Sequence, residues 1–490
     1  QIAVGYYYPM SLWFALITVP VIMAGFHDMV QTKRSILRNY PLAGRGRYWM
    51  EELRPKIYQY FIESDTDGTP FSRIYRSIVY QRAKEQLATT PFGTQLDVDE
   101  VGYEWINHSV NALQAHEMSN DSLRITVGGK DCTKPYSCSI LNISAMSYGS
   151  LSSNAVEALN WGAKIGGFAH NTGEGSISDF HKKHGGDLIW QIGTGYFGCR
   201  DEAGNFNEEM FAKNASLEQV KMIEIKLSQG AKPGHGGILP AKKNTAEIAR
   251  IRGVKQGTDV LSPPRHSAFS NAQEMIAFIA KLRRLSGGKP VGFKMCFGNP
   301  NEFEDLCRAM KEVDTYPDFI AIDGGEGGTG AAPLEFSNSI GMALKDGLIL
   351  TDDILTRYGI RDKVKIFASG KMLSGFHMVK SLALGADAIY CARAFMLSLG
   401  CIQALICNRN NCPTGVATQD PSLTIGLVVT DKCKRVANFH KHTLESVEEI
   451  VSAAGLKFIQ DLRRNHIWRR ISVTKISNYE ELFPYQNPIV

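Results

Sequence analysis

From Ser139 onward one pattern repeats, and it limits the fold more than any other feature of the chain. A run of apolar, often β-branched residues leads into small or polar residues and then into a helical stretch. The runs are Ile140–Met146, Ile165–Ala169, Leu188–Ile192, Met222–Leu227, Val291–Cys296, Phe319–Ile322, Val364–Ala368 and Ala388–Ala392, eight in all. Continuous apolar runs alternating with helices indicate parallel strands covered on both faces. Eight of them match a closed (β/α)8 TIM barrel better than an open doubly wound sheet. The expected organisation is α/β: a hydrophobic N-terminal helix over residues 1–30, a helical lead-in over 31–125, the barrel over 126–455 and a tail over 456–490.

In a barrel of this kind the chemistry sits where the strands end, and the unusual residues collect there. The first run ends in Ser147-Tyr148-Gly149, with hydroxyls that cap the helix expected over residues 154–164. The second ends in Asn171-Thr172-Gly173-Glu174-Gly175 and the third, which contains Gln191, in Gly193-Thr194-Gly195-Tyr196. Gln229-Gly230-Ala231-Lys232-Pro233-Gly234-His235 follows the fourth, and Lys294 lies in the fifth. Asp323-Gly324-Gly325-Glu326-Gly327-Gly328 closes the sixth, and Ser369-Gly370-Lys371 the seventh. Successive glycine-rich strand ends carrying Lys and Glu suit a cofactor whose phosphate and ring rest on backbone N–H groups. A phosphate is expected at the last two strand ends, on Ser369, Gly370 and Lys371 with Ala392 and Arg393.

The most specific local signal is Cys401-x5-Cys407-x4-Cys412-Pro413, three thiols within 12 residues. This resembles an iron–sulfur ligand loop. A zinc site completed by Cys391 or His440 is the alternative on spacing alone. The second pair, Cys132 and Cys138, has no third partner nearby and reads as structural.

Residues 2–26 carry no charged side chain, 25 positions in a row. Lys33, Arg34, Arg38, Arg45 and Arg47 follow, with no acid between Asp28 and Glu51. Length, the aromatic residues Tyr6, Tyr7, Tyr8 and Trp13, and the basic flank predict a membrane anchor with the catalytic body in the cytoplasm. A packing arm in an oligomer and a cleaved signal peptide are the alternatives. The net charge of +5 and the lack of a basic stripe interleaved with aromatics argue against nucleic acid as a partner.

Taken in order, Ser144-Ala145-Met146-Ser147-Tyr148-Gly149, Asn171-Thr172-Gly173-Glu174-Gly175, Gln229-Gly230-Ala231-Lys232-Pro233-Gly234, Ser262-Pro263-Pro264, Gly327-Gly328-Thr329-Gly330-Ala331 and the loop from Cys412 to Asp420 resemble the synthase domain of glutamate synthases. Gln31-Thr32-Lys33 and the hydrophobic start are similar to a shorter branch, the FMN-binding glutamate synthase family proteins. The resemblance implies FMN in the barrel mouth, on Ala145, Met146, Ser147, Gln191, Lys294, Asp323, Gly327, Gly328, Ser369, Gly370, Ala392 and Arg393. It implies a [3Fe–4S] cluster on Cys401, Cys407 and Cys412, which favours iron over zinc. The implied reaction is reductive formation of L-glutamate from 2-oxoglutarate and ammonia. Asn171, Gln229 and Lys232 are expected at the substrate, and Lys294 and Glu174 in acid–base roles.

Two departures stand out. The family's N-terminal glutaminase domain is not recognisable, so ammonia is expected from solution or from a partner glutaminase. The third strand-end loop has Tyr196 where the family carries an Arg, and a phenol does not replace a guanidinium's charge. No dinucleotide-binding Gly-x-Gly-x-x-Gly unit is visible, so ferredoxin or a reductase subunit is the expected electron donor. The competing readings are a non-catalytic or electron-transfer subunit of a membrane-associated complex, and an FMN barrel enzyme acting on another 2-oxo or 2-amino acid.

Overall fold

The apolar runs fold as their spacing requires. In the computed structural model eight parallel strands close into a barrel. They are β1 (Leu141–Ile143), β2 (His170–Asn171), β3 (Leu188–Ile192), β4 (Val220–Lys226), β5 (Val291–Met295), β6 (Phe319–Asp323), β7 (Lys365–Ser369) and β8 (Ala388–Cys391). Each pairs in parallel with the next, and β8 returns to β1. The structure describes residues 9–486 except 88, 115, 116, 118 and 119. Two compact units are present, Gln1–Arg73 and Ile74–Val490, and the barrel lies in the second.

One strand falls later than its run. Ile165 belongs to helix α1 (Ser153–Gly166), which Ser152 caps by accepting from the Ala155 N–H. Gly167 ends α1 in the left-handed region at φ 66°, a conformation that favours glycine, so the second strand forms only at His170. The expected run Ile165–Ala169 is corrected to that extent.

Side chains two apart on a strand share a face, and this rule builds the barrel interior. Ala169, Ile189, Met222, Phe319, Ala321, Phe367, Ala388 and Tyr390 form one buried cluster. An antiparallel hairpin, Arg124–Val127 with Tyr136–Ser139, adds Val127, Tyr136 and Cys138 to that cluster and closes the floor of the barrel. One inward position further along the strands the interior turns polar, with Asn171, Gln191, Glu224 and Lys294 all buried.

Outside the barrel, Ile467–Arg470 pairs antiparallel with both Glu104–Ile106 and Ile476–Asn478. The segment is locked by Arg464, fully buried, whose Nη2 meets Asp352 at 2.9 Å and Asp353 at 2.7 Å.

The first unit corrects the expected membrane span. The uncharged stretch does not form one long helix: Pro9–Phe14 is a 3-10 turn, and the helix Ala15–Val30 has 16 residues with Pro20 inside. At about 1.5 Å per residue that helix measures roughly 24 Å, short of a hydrocarbon core of about 30 Å. Among the described residues no helix is long and apolar enough to cross a membrane. Its last turn holds Asp28, buried, onto which Arg45 forks at 2.7 and 2.8 Å. Part of the basic flank therefore satisfies an internal carboxylate. Tyr6, Tyr7 and Tyr8 lie outside the described residues.

Candidate active site

The mouth of the barrel is organised by two carboxylates. Asp323, at the end of β6, accepts from Ser369 Oγ at 2.6 Å and from the Gly230 N–H at 2.8 Å, and its Oδ2 lies 3.4 Å from Lys294 Nζ. One side chain thus ties together the ends of β5, β6 and β7 and the loop after β4. That loop passes so close that a Cβ on Gly230 would sit 1.7 Å from the Gly324 carbonyl oxygen, which only glycine permits. Lys294 is held in the mouth, not in a salt bridge at the barrel floor.

Glu174 is the second organiser. Its Oε1 meets Lys226 Nζ at 2.9 Å. Gly193 and Gly237 leave room for it, since a Cβ on either would approach the carboxyl within 2.7 Å. Burial pulls the Glu174 carboxyl upward, but Lys226, Arg252 and Lys232 outweigh burial and hold it below its ordinary value. Glu174 is therefore an anion among cations, not a solvent-facing turn carboxylate.

Beneath these pairs Glu224 projects from β4, fully buried. Its Oε1 accepts from Asn171 Nδ2 at 2.8 Å and from Gln191 Nε2 at 2.6 Å. Asn171 and Gln191 were expected at substrate and flavin; each directs its amide nitrogen to this carboxylate. Asn171 Oδ1 accepts from the Gly173 N–H and fixes the glycine turn before Glu174. Burial raises the Glu224 carboxyl against the pull of Lys294 and the neighbouring amides.

The loop after β4 buries Lys232, whose Nζ donates to the Gly236 carbonyl at 2.8 Å. Burial, reinforced by the like charge of Lys226, brings its ammonium down to about 8. Gln229 is half-buried at the start of the same loop. His235 bonds the Gly236 carbonyl at 3.0 Å and packs edge-on against Phe336, away from any carboxylate.

Tyr196 does not offer its hydroxyl to the mouth. It is fully buried, accepts from the Ala268 N–H at 3.1 Å and bonds His266 Nδ1 at 3.0 Å, while His266 Nε2 meets the Lys226 carbonyl. An arginine reaches this loop from elsewhere: the Arg252 guanidinium lies 5.1 Å from the Phe197 ring centre and donates to the Tyr148 carbonyl at 2.9 Å.

At the ends of β7 and β8 two cations are neighbours. Burial lowers Lys371, and the positive charge of Arg393 lowers it further. Arg393 donates to the Glu326 carbonyl at 3.2 Å and occupies the space over Gly328. Glu326 acts on both with the opposite charge, and Ser369, Gly370 and Ala392 flank the pair in the chain. The loop after β1 meets the loop after β2 beside Arg252, with Gly173 and Gly175 packed on Ser147.

The cysteine loop follows the short helix Arg393–Ser398. Cys401, Cys407 and Cys412 each perturb one another electrostatically, so the three thiols converge. Burial pushes Cys401 up to about 12. At Cys412 burial also raises the thiol, but the Thr414 hydroxyl and backbone N–H groups overcome it and bring the thiol below its ordinary value. Neither proposed fourth zinc ligand joins them. Cys391 Sγ donates to the Met372 carbonyl, and His440 bonds Ser139 and the Leu141 carbonyl with its ring stacked on Phe168. Among the described residues no group of three or more His, Cys, Asp or Glu side chains is arranged to hold a single metal ion.

Residues not singled out from sequence complete the site: Glu224, Lys226 and Arg252. The signal for Glu224 and Lys226 was present, as two charged residues at alternate positions inside the apolar run Met222–Leu227.

The conserved region in glutamate synthase matches residues 105–457 of this chain. A glutamate synthase large subunit-like protein, YerD, of Bacillus subtilis (strain 168) is 38% identical over 95% of this chain and 96% of that protein. The archaeal glutamate synthase [NADPH] of Methanocaldococcus jannaschii is 34% identical over 66% of this chain, and the match spans 60% of that protein. A solved flavocytochrome b2 double mutant with pyruvate bound superposes with a TM-score of 0.46 at 12% identity, covering 90% of this chain and 92% of that one. With the family model covering more than half of its length, the chain belongs to the glutamate synthase family.

Proposed function

We propose that this barrel reduces the imine formed from 2-oxoglutarate and ammonia to L-glutamate, using FMN in the mouth and a [3Fe–4S] cluster on Cys401, Cys407 and Cys412. The observation that carries this reading is the charge arrangement of the mouth. Three buried lysines come from two neighbouring strands and the loop between them: Lys226 ends β4, Lys232 lies in the loop after it, and Lys294 lies in β5. Two of them pair directly with Glu174 and Asp323, and Lys232 donates to a carbonyl while sharing the field of Glu174. A dicarboxylate suits that excess of positive charge. The paired cations Lys371 and Arg393 suit the FMN phosphate.

When bound, FMN supplies a ring that takes electrons singly and releases them as a pair, and the cluster supplies them singly. The chain's own residues do the rest. Lys232 binds a substrate carboxylate, and Gln229 borders it. Lys294 donates the proton that lets the C2 hydroxyl leave as water after ammonia adds to the carbonyl carbon. Asp323 holds Lys294 in place for that transfer, and Glu174 orients Lys226. Overall, 2-oxoglutarate, ammonia, two electrons and two protons give L-glutamate and water. Electrons come from ferredoxin or a reductase subunit, and ammonia from solution or from a partner glutaminase.

A second reading, reduction of a different 2-oxo acid, is favoured by the engagement of Tyr196 with His266 and Ala268, which leaves that position without a group for a carboxylate. The deciding experiment is steady-state turnover with reduced ferredoxin, ammonium and a panel of 2-oxo acids. Glutamate formation fastest from 2-oxoglutarate, with none when glutamine replaces ammonium, supports the first reading. Preference for a monocarboxylic 2-oxo acid selects the second.

A further inference from the structure

Lys243 comes from the 3-10 turn Ala241–Lys243, on the long connection between β4 and β5, and is 4% exposed. Its ammonium donates to the Ser150 carbonyl at 3.1 Å and to the Ala417 carbonyl at 2.9 Å. The first carbonyl belongs to the loop after β1, which borders the barrel mouth. The second belongs to the cysteine loop. Gln419 makes a parallel crossing, donating to the Gly149 and Leu151 carbonyls at 3.1 and 2.7 Å. These two crossings differ in charge. Gln419 is neutral, whereas Lys243 brings a buried cation whose electrostatic partners are the thiols of Cys407 and Cys412. Among the described residues no carboxylate forms an ion pair with Lys243.

A buried cation interacts more strongly with a centre the more negative that centre becomes, and low local polarisability magnifies the effect. We propose that Lys243 sets the reduction potential of the iron–sulfur centre on the cysteine loop, favouring its reduced state while also joining that loop to the barrel mouth. The step is one electron: the protein donor, an iron–sulfur or flavin carrier, is oxidised by one electron and the cluster is reduced by one. No proton or covalent bond changes hands. Lys243 is a positioning residue, acting on the electron acceptor through space. This inference rests on the cluster assigned above.

The test is an EPR-monitored redox titration of the full-length holoprotein, comparing wild type with Lys243→Gln, Lys243→Arg and Gln419→Met. Lys243→Gln keeps donors for the two carbonyls and removes the charge. The expected result is a cluster midpoint lowered in Lys243→Gln, close to wild type in Lys243→Arg, and close to wild type in Gln419→Met, which loosens one crossing without altering charge. An unchanged midpoint in Lys243→Gln with the cluster signal intact overturns the inference. So does an equal drop in Gln419→Met, which would assign the effect to loop tethering. If Lys243→Gln fails to retain its cluster, Lys243→Arg against Gln419→Met decides, because a lowered midpoint in the arginine variant contradicts a charge effect. Absence of any cluster signal in the wild type refutes the cluster itself and is a separate outcome.

Discussion

The two ends of the barrel use the same inward-facing positions for opposite purposes. At the floor, Phe319, Phe367, Met222 and Ile189 pack under a hairpin that seals the barrel. At the mouth, the next inward positions of the same strands carry Asp323, Ser369, Glu224, Lys226 and Gln191. On β4 the change takes two residues, from Met222 to Glu224. The difference teaches where stability and chemistry separate: the floor excludes water with apolar volume, and the mouth holds charge with cross-loop pairs such as Lys226 with Glu174 and Lys294 with Asp323.

The largest expected effect breaks the mouth alone. Lys294→Ala should lower kcat by roughly 100- to 10,000-fold, the range for losing a positioned proton donor. Asp323 keeps its bonds from Ser369 and Gly230 but loses its buried cation, so the thermal midpoint should also fall, by less in free energy than the loss of rate. Calorimetry alongside initial rates checks this. Equal losses of rate and stability would mean the two ends are not separable.

Phe367→Ala breaks the floor. The side chain is fully buried, and its truncation should cost about 3–5 kcal/mol in chemical denaturation. Activity per folded molecule should stay near wild type.

Two of the buried glutamates, Glu224 and Glu174, sharpen the comparison through pH. Glu224 is raised above its ordinary value, so the folded state keeps a proton that the unfolded chain has lost. Its contribution is complete below the unfolded pKa and is lost as pH rises through the folded one. Glu174 is lowered, so its contribution is present above the unfolded pKa and is lost as pH falls through the folded one. Glu224→Gln should therefore remove a decline in stability on the alkaline side of the ordinary glutamate range. Glu174→Gln should remove a decline on the acid side. Denaturation midpoints across a pH series measure both slopes.

The smallest effect concerns Lys232. With its ammonium brought down to about 8, KM for the 2-oxo acid should rise as pH passes that value, while Lys232→Arg should hold KM flat over the same range. A flat profile in the wild type would remove Lys232 from the substrate site.

Much of the floor was legible in the sequence, because apolar runs report burial directly. β3 coincides with its run, and β5 and β8 end within one residue of theirs. β2 was placed too early because the run beginning at Ile165 straddles a helix end and its glycine cap. At the mouth, residue types were legible but partners were not. Glu174 and Lys294 stood out as charges at strand ends; that they meet Lys226 and Asp323 depends on register between strands, which no local spacing encodes. Lys243 was invisible for the same reason, since it arrives from a connection that looks like surface. The N-terminal stretch misled because absence of charge was read as helix length, whereas the helix starts at Ala15 and its last turn includes Asp28, which Arg45 neutralises.

The central claim is that the mouth forms glutamate with electrons that pass through the cysteine loop. An anaerobic single turnover tests it most directly: the holoprotein is reduced chemically, freed of excess reductant, and mixed with 2-oxoglutarate and isotopically labelled ammonium. The account predicts reoxidation of flavin and cluster together with labelled L-glutamate in proportion to the electrons stored. In Cys407→Ser, flavin alone should reoxidise and the yield should fall accordingly. Reduced centres that persist with no labelled glutamate, in a protein that contains both cofactors, would contradict the account.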